Sequence, residues 1–107
     1  MKVFFKCSCE NPPFSYLNFD RSDLGADPSG AEVSVDTCKK CGVSWLVYLI
    51  EEPHYSNSGR WWRAKLATSA ITLESSKGYI ESQDWCFIGG SFHGSMGKKQ
   101  SAPIKIT

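Results

Sequence analysis

Residues 38–50 have the sequence CKKCGVSWLVYLI, in which a Cys-x-x-Cys-Gly turn leads directly into an almost continuous apolar run. A short apolar run that follows a turn is typical of a strand buried on both faces. In the turn, Gly42 can adopt a positive φ and the backbone amides can point towards sulfur. This stretch therefore predicts a zinc-knuckle turn that opens the central strand of a sheet.

A second pair of close cysteines lies near the start of the chain. Zinc favours four sulfur or nitrogen ligands in a tetrahedron, and two distant pairs can supply them. We therefore predict a structural Zn²⁺ with the ligands Cys7, Cys9, Cys38 and Cys41. Only one residue separates Cys7 from Cys9, which holds the two sulfur atoms closer together than in the usual two-residue spacing. Two alternatives therefore stay open: Cys7 and Cys9 are merely strand cysteines, or His54 replaces one of them as a ligand. Four thiolates would leave no position for a catalytic water.

Composition limits the class of protein. The 107 residues, 41% of them hydrophobic, fit one domain over residues 1–107, and the formal net charge of +1 counts against general nucleic-acid binding. The longest apolar run is much shorter than the roughly 20 residues that span a bilayer. The start of the chain lacks the pattern of a signal peptide, and five cysteines, an odd number, fit a disulfide scaffold poorly. These features predict a cytoplasmic location and no membrane contact.

Periodicity and turn residues predict an α+β fold. We expect an antiparallel sheet of about four or five strands, one helix and a zinc-ribbon-like knuckle. The predicted strands are residues 2–7, 33–36, 85–92 and 103–106, together with a hairpin formed by 43–50 and 60–67. A helix over residues 73–83 would be capped by Thr72 and weakened by Gly78. The strand order is left open.

An irregular acidic loop is predicted at about residues 10–32, because prolines, glycines and aspartates dominate this stretch. Residues 20–36 contain five acidic residues and one arginine, which is the most uneven charge in the chain. A loop of this length is usually functional or mobile. The candidate partner-binding residues here are Asp20, Asp23 and Asp27.

The strand predicted at residues 60–67 alternates in character. Trp62, Ala64 and Leu66 would point inwards, and the outward face would carry Trp61, Arg63 and Lys65. An exposed tryptophan between cations can form a protein-binding hot spot or stack on unpaired bases. The alternative is that another element covers Trp61.

Catalysis by Cys86 with His93 is not favoured. A free cysteine in an apolar strand is commonly buried, and nothing nearby in the sequence supplies an oxyanion hole or a group to orient the histidine. His54 and His93 are interpreted as hydrogen-bonded loop residues. We therefore expect no enzymatic activity.

Residues 38–45 resemble the second half of a zinc ribbon, and residues 51–62 with 85–94 are similar to small bacterial proteins, some of which resemble immunity proteins of toxin systems. This resemblance implies a non-enzymatic interaction protein whose partner is a toxin domain, with the acidic stretch facing a basic nuclease cleft. One alternative is a nucleic-acid-binding zinc ribbon that uses Lys39 and Lys40 with the outward face of residues 60–67. A Cys/His enzyme is a third alternative.

Overall fold

The structure, a computed structural model, describes residues 7–52, 54–67 and 70–106. Six strands form one antiparallel sheet in simple chain order, and each strand pairs with the next. The strands are β1 (Phe19–Ala26), β2 (Glu32–Cys38), β3 (Ser44–Ile50), β4 (Arg60–Lys65), β5 (Trp85–Gly90) and β6 (Ser95–Ser101). One helix, α1 (Ser76–Glu81), lies between β4 and β5, and two 3-10 helices, Ser8–Glu10 and Tyr16–Asn18, precede β1.

The predicted α+β class is confirmed in outline, but the sheet has six strands instead of four or five. β1 lies within residues 10–32, which we expected to be irregular, and β6 occupies a glycine-containing stretch with no strand prediction. Both are edge strands with polar sequences, so they lack the apolar alternation that reveals a strand. The strand predicted at residues 2–7 falls largely outside the described residues.

The helix is shorter than the predicted span of residues 73–83. It begins after Ser75 instead of Thr72, and the hydroxyl of Thr72 bonds to Ser75 within a turn. A helix of six residues is not stable alone in water. It depends on packing, because Ile80 and Ser76 are fully buried. Residues 103–106 are not a strand, although Ile104 and Ile106 do enter the core.

Alternation along the strands divides the sheet into two faces. One, the helix face, packs against α1 and the C-terminal isoleucines in a core that includes Leu46, Tyr48, Trp62, Ala64, Cys86 and Ile88. The other, the cysteine face, packs against residues 7–19 in a smaller cluster that includes Cys9, Phe19, Cys38, Trp45 and Phe87. β3 is buried on both faces, as its apolar run predicts.

A buried ion-pair network crosses the cysteine face. Asp36 on β2 accepts two hydrogen bonds from Arg21 on β1, at 2.7 and 3.0 Å, and one from Arg63 on β4 at 2.9 Å. Asp36 and Arg63 are 2% and 4% exposed. Burial alone would raise the pKa of Asp36, but the hydrogen bonds from the two arginines more than offset it and lower the pKa.

This network predicts the acid stability of the fold. Asp36→Asn would leave the Arg63 guanidinium buried without a counter-charge, so we expect the free energy of unfolding to fall by about 3–5 kcal/mol. Since the folded-state pKa of Asp36 lies below the unfolded value of about 3.9, its stabilisation is present above that pH and is lost as the pH falls through the folded pKa.

Urea unfolding of the wild type and the variant between pH 3 and 7 measures both effects. The matched control is Asp20→Asn, which alters an exposed carboxylate on β1. Equal free energies of unfolding for the two variants at neutral pH would contradict a structural role for the ion pairs.

Candidate metal centre

The first cysteine pair lies in a tight turn. Cys7 precedes the 3-10 helix Ser8–Glu10, and Cys9 lies within it. The backbone N–H of Glu10 donates to the carbonyl of Cys7 at 3.0 Å and closes the turn. This compact geometry is how one intervening residue can still direct two sulfur atoms to the same place.

The second pair brackets the turn between β2 and β3. Gly42 has a φ of +77°, and its N–H donates to the carbonyl of Cys38 at 3.0 Å. The N–H of Lys40 donates to the Cys38 sulfur at 3.4 Å. These are the features of the knuckle turn that the Cys-x-x-Cys-Gly pattern predicts. The N–H of Lys39 also donates to the carbonyl of Asn18, which ties the turn to the segment that precedes β1.

The four sulfur atoms converge on one point. The Sγ atoms of Cys7 and Cys38 are 3.6 Å apart, those of Cys9 and Cys41 are also 3.6 Å apart, and all four lie within 4.8 Å of one another. Sulfurs at about 2.3 Å from a tetrahedral metal are separated by about 3.8 Å. No disulfide joins these cysteines. The cluster can therefore hold a metal ion.

Electrostatics at the cluster favour a thiolate at the knuckle. Burial would raise the pKa of Cys38, but the backbone N–H groups of Cys41 and Lys40 more than offset this effect and lower the pKa to about 6. Burial raises the pKa of Cys9 to about 12. A thiol of low pKa provides the first metal-binding thiolate at neutral pH, and binding then releases the remaining protons.

The indole of Trp45 gives a second indication of a metal. Trp45 is fully buried and packs in the same cluster as Cys9, and its Nε1–H has no hydrogen-bond acceptor within the described part of the chain. The indole lowers the pKa of Cys9, although burial raises that pKa by more. A buried donor beside a sulfur is satisfied when that sulfur is a metal-bound thiolate, so the donor set fits a metal.

The other reactive residues form no comparable site. Cys86 is fully buried in the helix-face core, and burial raises its pKa to about 11. His93 packs edge-on against Trp62, and burial lowers its pKa. Within the described residues, no hydrogen bond joins Cys86 to His93. His54 is exposed in the turn between β3 and β4, at the end of the sheet opposite the cysteines, and takes no part in the cluster.

The candidate partner-binding residues fall into different environments. Trp61 is half-buried, Arg63 is buried, and Lys65 is exposed and donates to Glu10 at 3.0 Å. Trp61, Arg63 and Asp23 line one cavity on the cysteine face. Asp20 does not line it. Asp27 accepts hydrogen bonds from Ser29, Ala31 and Tyr48 in the turn between β1 and β2.

Sequence reasoning missed Asp36, the buried carboxylate that holds Arg21 and Arg63 together. Its contact with Arg63 depends on the register of β2, β3 and β4, since Asp36 pairs with Trp45 of β3 and Arg63 pairs with Val47, two residues further along β3. The only signal in the sequence is an acidic residue at an alternate position of a strand otherwise rich in valine.

Metal removal gives the first prediction for this site. Cys41→Ser removes an exposed ligand with little change in packing, and we expect it to lose the bound metal, because three thiolates bind more weakly than four. Structural zinc contributes about 10 kcal/mol or more to small folds, so chelation should also lower the melting temperature of the wild type strongly.

Metal content by atomic emission and melting curves with and without chelator test this expectation. Cys86→Ala is the matched control, because it removes a cysteine outside the cluster and should retain one metal per chain. A wild type whose melting temperature is unchanged by complete metal removal would contradict the assignment.

Trp45→Phe tests the indole as a donor to the metal-bound sulfur. Loss of such an outer contact typically weakens metal affinity about 10–100-fold. Competition with a chromophoric chelator measures the affinity. Trp85→Phe serves as the control, because Trp85 packs edge-on against Trp45 and its N–H is not among the unpartnered buried donors. Equal metal affinity in the two variants would show that the indole N–H plays no part.

Comparisons with protein-family models, curated proteins and solved structures give no match to this chain. Among the described residues, no helix is long and apolar enough to cross a membrane. The function is therefore argued from the cysteine cluster and the surfaces of the sheet.

Proposed function

We propose that this protein is a non-enzymatic interaction domain, stabilised by a structural zinc ion, whose partner is a protein of the bacterial toxin class. The observation that carries the proposal is the separation of the molecule into two ends. The cysteine cluster closes one end of the sheet, and an open, charged cavity lies towards the other end.

Zinc is the metal that this donor set favours. Four cysteine sulfurs in tetrahedral spacing suit Zn²⁺, whereas magnesium and calcium prefer oxygen ligands. Such a site has no open position for water or substrate, so the metal supplies folding energy and no catalysis. This chemistry agrees with the inert environment of Cys86.

Exposed apolar side chains near the cavity support an interaction role. Met96 is 80% exposed and lines the cavity, and Tyr55 is 71% exposed beside a smaller neighbouring cavity. Phe92 is 56% exposed and carries Arg60 over its ring at 5.1 Å. Large exposed apolar groups rimmed by polar residues are a common mark of protein-binding surfaces.

The acidic groups at this end favour a cationic partner. Glu32, Glu51 and Glu52 are all exposed where β2 begins and β3 ends. Toxin domains that cleave nucleic acids present basic clefts, and complementary charge speeds and selects such complexes. The exposed glutamates and the cavity beside them therefore support an immunity role.

Binding of nucleic acid is less well supported. Of the cations expected to contact phosphates, Arg63 is paired with Asp36 in the interior and Lys65 is hydrogen-bonded to Glu10. Lys39 and Lys40 remain exposed at the knuckle. Two lysines provide few of the phosphate contacts that sustain affinity at physiological salt.

Affinity capture with the purified, metal-loaded protein, followed by mass spectrometry, tests the proposal. We expect it to capture a nucleic-acid-cleaving toxin, to form a stoichiometric complex with that toxin on size-exclusion chromatography, and to suppress its toxicity when the two are co-expressed. Titration with single-stranded RNA is the parallel experiment. Tight RNA binding that falls steeply with salt, with no protein complex, would overturn the proposal.

A further inference from the structure

A groove of about 1000 Å³ lies on the cysteine face, and we call it the sheet groove. One wall consists of Phe14, Trp61 and Met96; the other consists of Arg21, Asp23 and Glu32; the floor includes Ser34, Val47 and Leu49. Residues 7–19 cover the cysteine end of this face, and the described chain leaves the middle of it open. A volume of this size accommodates a ligand or several residues of a peptide.

The aromatic wall is held in a fixed position. The ring of Trp61 lies directly on Gly89 of β5, where any Cβ would overlap it, and its outer edge reaches Gly97 of β6. Phe14 packs edge-on against the same ring at a centroid distance of 5.8 Å. A tryptophan fixed in this way offers a rigid apolar contact at little cost in side-chain entropy.

The outer end of the sheet groove is acidic. A second cavity of about 430 Å³ adjoins it and shares Glu32 and Leu49, and it adds Glu51 and Glu52 to the lining. Within the described chain, Asp23, Glu32 and Glu51 make no ion pair within 4.0 Å, although Arg21 attracts Asp23 and Glu32 from a longer distance, and Glu52 lies 4.0 Å from Arg60. The carboxylates at this end therefore outnumber the cations that could neutralise them.

The inner end of the sheet groove is lined by two buried polar residues, Arg63 and Ser34. Arg63 is 96% buried, and its Nε and Nη2 have no acceptor among the described residues, although the guanidinium lies over the ring of Phe19 at 4.3 Å. Ser34 is 6% exposed and lines the floor of the sheet groove. A serine hydroxyl can donate a hydrogen bond to a carbonyl oxygen, which a peptide backbone supplies.

We propose that the sheet groove binds an extended, lysine- or arginine-containing segment of a protein partner. The basic side chains pair with Asp23, Glu32 and Glu51, an apolar side chain packs on Trp61, and a backbone carbonyl accepts a hydrogen bond from the hydroxyl of Ser34. Neighbouring strands are about 4.8 Å apart, so a path across six strands accommodates about seven residues at 3.3 Å each. This inference rests on the proposed function and specifies its partner-binding site.

A labelled synthetic peptide of eight residues that alternates lysine and valine is the probe. Fluorescence anisotropy at physiological salt measures its binding to the metal-loaded wild type and to the double variant Glu32→Gln with Glu51→Gln. We expect the double variant to bind about five- to tenfold more weakly, because two exposed ion pairs are lost. The matched control is Glu74→Gln with Asp84→Asn, two exposed carboxylates outside the groove lining, which should leave affinity within about twofold.

Amide chemical shifts locate the bound probe. Changes at Leu49, Trp61 and Ser34 support the proposal, whereas changes confined to the knuckle at Lys39 and Lys40 overturn it. Equal binding of a glutamate–valine peptide also overturns it, since charge would then play no part. A variant that begins at Cys7 is a further control. If the probe binds to this variant and not to the full chain, residues 1–6 are the occupant of the sheet groove and the proposal is wrong.

The same double variant separates this inference from the proposed function. If the complex with the toxin-class partner forms and is unaffected by Glu32→Gln with Glu51→Gln, the sheet groove is not the docking site and the interaction function stands. If the peptide binds in the groove but no protein complex forms, the site stands and the proposed toxin-class partner is wrong.

Discussion

The burial of β3 on both faces is the constraint on which the rest of the structure depends. Trp45 and Leu46 are neighbours in sequence, point to opposite faces, and are both fully buried. A sheet in this situation needs a cover on each side. The helix face is covered by α1 and the two C-terminal isoleucines, which together bring enough apolar surface to form the larger core.

The cysteine face has a weaker cover. Residues 7–19 contain two short 3-10 helices and few buried apolar side chains, so packing alone gives this segment little stability. A metal ion held by the four cysteines would join this segment to the turn between β2 and β3. Under the cover, Asp36 and Arg63 neutralise each other in the interior. Beyond it, the described residues leave the same face open, and that opening is the sheet groove.

In the proposed function, stabilisation by a metal and binding of a partner belong to different ends of one surface. The sulfur cluster and the exposed lysines of the knuckle lie at one end, and the exposed carboxylates around the sheet groove lie at the other. Trp61 lies between them, supported by Gly89 and Phe14. A partner that contacts the acidic end therefore need not disturb the thiolates, which is the expected arrangement when a metal serves only the fold.

Sequence alone determined the features that depend on local spacing. The Cys-x-x-Cys-Gly turn, the apolar run of β3 and the alternation of Trp61 and Trp62 follow from chemistry and from the two-residue period of a strand. The polar edge strands β1 and β6 were missed because neither has an apolar face. Only the tertiary structure decided how far residues 7–19 would cover the cysteine face, and hence that Arg63 is buried while Trp61, on the same face, is half-exposed. The physical reason is that the covering residues, such as Phe14, lie about 50 positions earlier in the chain. The local sequence of β4 therefore cannot indicate that they pack on it.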